Sequence, residues 1–207
     1  MAAICCKGAS IKIILATQNK NKVTEFNRIF KPYNVSFLPV SELTNVIPEE
    51  TGKTFSENAI IKAKAAGKLI KWKLPCLADD SGLSIKILSN QPGIFSARWA
   101  VNNSYSDAFK LIRNKIQEKG ETMEKQPAFF SCSLALIESY SKIFIFEGIL
   151  EGNLTYPPRG KLGFGYDPIF IPSGEKKTLA ELKSSEKNKI SHRKIAIDKL
   201  IGFLLEK

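Results

Sequence analysis

The sequence predicts a mixed α/β fold, a central β-sheet flanked by helices. Short apolar runs at Ile11–Ala16 and Val35–Leu38 alternate with segments of helical character near 20–30 and 54–71. Farther along, Ala128–Ile137 and Lys142–Glu151 are long strand-like runs joined by the polar Glu138-Ser139-Tyr140-Ser141. That pattern is a hairpin, so the sheet is not purely parallel. At the C-terminus, Ser191 is placed to cap a helix over 191–205, whose Ile195, Leu200, Ile201, Leu204 and Leu205 form an apolar stripe. A chain of 207 residues with 43% hydrophobic content buries a substantial core. One domain is expected over 11–207, after a ragged extension from Met1 to Ser10 that is too short and insufficiently apolar for a signal peptide.

Ile13-Ile14-Leu15-Ala16 reads as a buried strand running into Thr17-Gln18-Asn19-Lys20-Asn21-Lys22 and the helix at 20–30. Such a junction offers backbone N–H groups and a positive dipole end to a phosphate, and Lys20 and Lys22 add charge. It suits a capped helix with surface lysines equally well, and it lacks the glycines of a Walker A loop. The helix at 54–71 carries Lys62 on a face shared with Asn58, Ala65 and Leu69, where a lysine points into a cleft or snorkels. Cys76-Leu77-Ala78 ends a short buried strand, Asp79-Asp80-Ser81-Gly82 reads as the turn after it, and Leu83–Ile87 as the next strand. Adjacent carboxylates repel, and become useful when a divalent metal or a water proton needs them. A solvated turn is the plainer alternative. A further helix is expected near 105–118.

Asn153–Lys161, with Pro157-Pro158-Arg159-Gly160, is a loop leading into Gly163-Phe164-Gly165-Tyr166-Asp167-Pro168. Two glycines allow a tight turn, Phe164 and Tyr166 supply flat faces, and Asp167 is an acceptor restricted by the following proline. The combination suits a planar polar heterocycle, or simply a turn with core aromatics. Ser191-His192-Arg193 opens the last helix with the one histidine of the chain. Arg193 offers hydrogen-bond donors only.

Thr17-x-Asn19-x-x-Lys22, Glu50-Thr51-Gly52-x-Thr54-Phe55-x-Glu57-Asn58-Ala59, Ala78-Asp79-Asp80-Ser81-Gly82-Leu83, Pro92-Gly93-x-x-Ser96-Ala97-Arg98, Gly163–Pro168 and Ser191-His192-Arg193 occur in one order. In that order they resemble the inosine triphosphate pyrophosphatase family over nearly the whole chain from Ile11. Gln18, where a glycine is common, and Trp99, where tyrosine is usual, depart from the pattern. The resemblance implies two lobes around a substrate cleft and hydrolysis of ITP, dITP or XTP to the monophosphate and pyrophosphate. It implies that Thr17, Gln18, Asn19, Lys20, Asn21 and Lys22 bind the triphosphate, with Lys62 neutralising phosphates and Ser81 touching substrate. Glu50 and Asp80 would hold Mg²⁺, with Asp80 also the catalytic proton acceptor. Phe164, Gly165, Tyr166, Asp167, Lys187, His192 and Arg193 would form the nucleotide pocket. A homodimer is expected on the same ground.

Thirty-one Lys and Arg against 20 Asp and Glu give a net charge of +11. The stretch Lys176, Lys177, Lys183, Lys187, Lys189, Arg193 and Lys194 raises nucleic-acid binding as a different function. Glu175, Glu181 and Glu186 interrupt it, and a basic surface that attracts a triphosphate is simpler, so no nucleic-acid partner is expected. No apolar run approaches the ~20 residues that span a membrane, so none is expected there either. Cys76 and Cys132 lie in apolar strands as free thiols, consistent with a cytoplasmic protein; the adjacent Cys5 and Cys6 show no Cys-x-x-Cys spacing. A sister class of the same fold, acting on pyrimidine or modified nucleotides, is the nearer alternative.

Overall fold

In the computed structural model, residues 10–46, 48–100 and 104–206 are described, with the side chains of Lys20 and Asn21 excepted. The Met1–Ser10 extension with its Cys5 and Cys6 lies outside them, apart from Ser10, as do the side-chain roles expected of Lys20 and Asn21. The strands are β1 (Ile11–Leu15), β2 (Val35–Pro39), β3 (Cys76–Ile85), β4 (Gln91–Pro92), β5 (Pro127–Ser139), β6 (Lys142–Leu154) and β7 (Phe170–Pro172). The helices are α1 (Lys20–Phe30), α2 (Phe55–Leu69), α3 (Ser96–Trp99), α4 (Tyr105–Gln117), α5 (Ser184–Ile190) and α6 (His192–Leu205). Short 3-10 turns fill several of the connections.

The sheet runs in the order β2-β1-β3-β5-β6-β7, with β4 pairing β3. β1 is parallel to both β2 and β3, whereas β4 is antiparallel to β3 and β7 to β6. The expected mixed sheet is therefore present, and the parallel pairs are those whose connections contain α1 and α2.

The chain forms two compact units. The first comprises the chain up to Asp80 with Ser133–Glu147 and the stretch from Ala196; the second comprises Ser81–Cys132 and Gly148–Ile195. Each has its own apolar core. In the first, Ile14, Ala16, Val40, Ala59, Ala63, Ala66, Cys76 and Ala78 pack together, so small residues on α2 let the helix lie close to β1 and β3. Phe26, Phe30 and Phe37 interlock edge-on and stacked at 5.0–6.0 Å between ring centres. Asn27 stitches α1 to β2, donating from Nδ2 to the Phe37 carbonyl at 3.1 Å and accepting its N–H at 2.7 Å. In the second unit, Leu83, Ile85, Ile112, Ile116, Phe170 and Leu179 form the centre.

One sequence expectation is overturned here. Asp79-Asp80-Ser81-Gly82 is not a turn between two strands but the middle of β3, which runs unbroken from Cys76 to Ile85. Both carboxylates are buried, Asp79 3% and Asp80 9% exposed. Lysine partners supplied from α1 and α2 replace the solvation that a turn would otherwise have provided. Cys76 and Cys132 are buried free thiols, as read from the sequence. Among the described residues no helix is long and apolar enough to cross a membrane.

Candidate functional site

In the first unit, the lining of a cavity of about 550 Å³ includes Thr17, Gln18, Asn19, Lys22, Glu50, Lys62 and Asp79. The Thr17–Lys22 loop is shaped by its own side chains. Thr17 Oγ1 accepts the Asn19 N–H at 3.2 Å, and Asn19 Oδ1 accepts the Lys22 N–H at 3.4 Å, capping α1. Lys22 is held bidentately by Asp79, its Nζ 2.9 and 2.8 Å from the two carboxylate oxygens.

Lys62 rises from α2 into the cluster and donates to Glu50 Oε1 at 2.7 Å and Asp80 Oδ1 at 2.9 Å. The second Asp80 oxygen accepts from Asn58 Nδ2 at 3.2 Å, and Asn58 Oδ1 in turn accepts the Gly52 N–H at 2.9 Å. The i, i+4 spacing of Asn58 and Lys62 puts both on the face of α2 that meets Asp80. Thr54 sets the start of that helix, accepting the Glu57 N–H at 3.1 Å.

Charge is uneven in this cluster. Glu50, Asp79 and Asp80 share the two lysines Lys22 and Lys62. Burial pushes the Asp80 carboxyl above its ordinary range; Lys62 and the Asn58 hydrogen bond pull it back only in part, and the Glu50 charge adds to the rise. For Lys62, burial opposes the charge, but the surrounding carboxylates outweigh it and raise the ammonium.

The second unit holds a different arrangement. Asp167 Oδ2 accepts the Phe164 N–H at 2.8 Å and also pairs with Lys187 from α5. The Lys187 ammonium lies over the Phe164 ring, 4.4 Å from its centre. Gly163 is left-handed at φ +77°, and a Cβ there would stand on the Asp167 carboxylate, so this turn admits no side chain at that position. Phe164 is 66% exposed, but Tyr166 is 3% exposed, with its hydroxyl donating to the Ser96 carbonyl at 2.8 Å. The expectation that Tyr166 presents a flat face to a ligand is thus corrected: its ring packs on Tyr105 and Phe109. The hydroxyl bond holds that ring in the core, and only the backbone of Tyr166 belongs to the turn. Ser191 Oγ accepts the Lys194 N–H at 3.1 Å and caps α6, as read from the sequence. His192 and Arg193 in its first turn are each 8% exposed, and the His192 ring stacks on Phe130 at 4.9 Å.

The sequence model of the Ham1 family matches residues 13–203, nearly the whole chain. The chain belongs to the Ham1 family. It is 42% identical to the dITP/XTP pyrophosphatase of Coxiella burnetii, with 95% of this chain and 98% of that protein covered. Against the dITP/XTP pyrophosphatase of Bacillus subtilis the identity is 46%, over 92% of this chain and 96% of the relative. Among solved structures it is similar to a HAM1 protein from Coxiella burnetii, with a TM-score of 0.88 and 40% identity over 95% of this chain and 100% of that one. The Staphylococcus aureus Ham1 protein superposes with a TM-score of 0.84 at 38% identity, over 95% and 100% of the two chains.

In this Ham1 chain, Glu50 and Asp80 both pair with Lys62, Lys22 pairs with the neighbouring Asp79, and Phe164, Asp167 and Lys187 come together in the other unit. Ser81 follows Asp80 on β3 and is half-buried. Two participants were missed by sequence reasoning. Asp79 was seen as a neighbour of Asp80 but not as the partner of Lys22. Asn58 was noted on the Lys62 face but not as a donor to Asp80; an asparagine one turn before that lysine was the available signal.

Proposed function

We propose that the chain hydrolyses ITP, dITP and XTP to the nucleoside monophosphate and pyrophosphate, with Mg²⁺ as cofactor. The observation that carries this reading is the convergence of Glu50 and Asp80 on a single cation, the Lys62 ammonium, beside the loop Thr17–Lys22. Two carboxylates aimed at one positive centre, in a cluster with more acids than bases, fit Mg²⁺, which takes one or two carboxylates and completes its shell with water and substrate oxygens. Bound there, magnesium would draw charge off the phosphate oxygens as the anhydride bond breaks.

The protein's own groups do the rest. Asp80 takes a proton from the attacking water, and burial makes its carboxylate the stronger base. Asn58, donating to the other Asp80 oxygen, fixes the orientation of that base. Lys22 and Lys62 neutralise phosphate oxygens, with Asp79 holding Lys22 in place. The Thr17–Lys22 loop lends its backbone N–H groups to the triphosphate, and Ser81 contacts substrate. In the second unit Phe164 stacks on the base, while Asp167, Lys187, His192, Arg193 and the backbone of Gly165 and Tyr166 read its polar edge. Arg193 favours the 6-oxo purines.

The basic C-terminal stretch does not favour a nucleic-acid module. Lys187 spends its charge on Asp167 and Arg193 is buried, so two of its cations are withdrawn from any surface track. The homodimer implied by the resemblance belongs to this proposal and is checked by sedimentation. The function itself is tested by product identity. With Mg²⁺, ITP gives IMP and pyrophosphate, and chelation stops the reaction. Formation of IDP and phosphate, or undiminished turnover in chelator, would refute the assignment.

A further inference from the structure

Gln18 lies in the phosphate loop, yet its side chain turns away from that loop's own backbone. Its Nε2 donates to the carbonyl of Thr44, 26 residues on, at 3.0 Å. Thr44 belongs to the segment that follows β2 and leads to Glu50. This segment is anchored at its start by Val40, 7% exposed, whose carbonyl accepts the N–H groups of Leu43 at 2.9 Å and Thr44 at 3.0 Å. At its far end Glu50 meets Lys62. Among the described residues in between, the apolar Leu43 is 50% and Val46 74% exposed, so neither of these side chains anchors the path in the core. Thr44 Oγ1 accepts the Val46 N–H at 3.1 Å, making a local turn next to the Gln18 contact. Gln18, Thr44, Val46, Pro48 and Glu50 all line the same cavity.

We propose that Gln18 is a positioning residue: its amide ties the phosphate loop to the segment carrying Glu50, and so presets that carboxylate for the cation. This rests on the assignment of Glu50 to magnesium made above. The backbone of Gln18 remains with the triphosphate while its side chain holds the neighbouring segment. A half-buried neutral hydrogen bond of this kind shifts an equilibrium by about threefold to tenfold.

The test compares Gln18→Glu and Gln18→Ala with the parent protein. Glutamate keeps the size but, when ionised, cannot donate to a carbonyl. In metal-free protein, exchange of the hydrogen-bonded amides of Leu43, Thr44 and Val46 should quicken about threefold to tenfold in both variants, with Asn27 and Phe37 unchanged. With ITP as substrate, the Mg²⁺ concentration giving half-maximal rate should rise by a similar factor, and by more than kcat falls. Unchanged exchange at those three amides overturns the proposal. So does a uniform quickening along the whole chain, which marks general destabilisation. Failure of the parent protein to hydrolyse any triphosphate would sink the proposed function, while the exchange comparison would still decide whether the tether exists.

Discussion

Each of the two units builds its polar centre around lysine–aspartate pairs, yet the pairs are set to opposite purposes. In the first, among the described ion pairs, three carboxylates, Glu50, Asp79 and Asp80, meet two ammoniums, Lys22 and Lys62, and Asp79 and Asp80 are buried. Such a cluster accepts a further cation and leaves one carboxyl ready to take a proton. In the second, Asp167 and Lys187 balance each other, the lysine lies over an exposed aromatic ring, and a glycine turn locks the carboxylate in place. A balanced, rigid arrangement of this kind discriminates shape and hydrogen-bond pattern. On the proposed function, the acid-rich cluster serves reaction and the balanced pair serves recognition.

The largest expected effect separates the two. Asp80→Asn removes the proton acceptor while keeping the Asn58 contact possible, and should lower kcat about 10²–10⁴-fold for every nucleotide alike. A variant that loses ITP but keeps ATP turnover would place recognition, not reaction, at Asp80. Phe164→Ala should act the other way. Phe164 is 66% exposed, so the fold survives, and loss of one stacking face should raise KM roughly tenfold to a hundredfold with a smaller change in kcat. A pure kcat loss there would break the division of labour.

The third effect is a displacement along the pH axis. With Asp80 as the proposed base, turnover needs it deprotonated, so the rate should fail as pH falls through its pKa. Burial lifts that pKa and Lys62 pulls it down. Lys62→Met removes the downward pull, and the acid limb of kcat/KM should move to higher pH than in the parent protein. An acid limb that stays put, or moves lower, would show that Asp80 is not the titrating base. Smallest of all is a reactivity difference in the core of the first unit. Burial pushes the Cys76 thiol up to about 12, so iodoacetamide at pH 8 should label it after denaturation and not before.

How much of this was legible in the sequence depended on how local the information was. Helix α1 begins and ends where it was predicted, because Asn19 caps it and Phe26 and Phe30 set its apolar face. The paired strands β5 and β6 were recognised from two long strand-like runs joined by a short polar turn, though both extend beyond the predicted ends. The middle of β3 was misread as a turn because what buries Asp79 and Asp80 comes from 57 and 18 residues away. Locally, Asp-Asp-Ser-Gly carries only turn chemistry. Helix α5 went unseen for a related reason. It spans seven residues with none buried, so it has no apolar period, and its capping box needs Glu186 to reach back to Lys183. The glycine and aromatic pattern around Asp167 was visible, whereas burial of the Tyr166 ring depended on Ser96, 70 residues earlier.

The most direct measurement is kcat/KM of the unmodified protein for ITP, XTP, ATP, GTP and CTP at saturating Mg²⁺, read as pyrophosphate release. The expected result is turnover of ITP and XTP orders of magnitude faster than of the other three. Equal rates on ATP, a preference for CTP, or no release from any of them would contradict it.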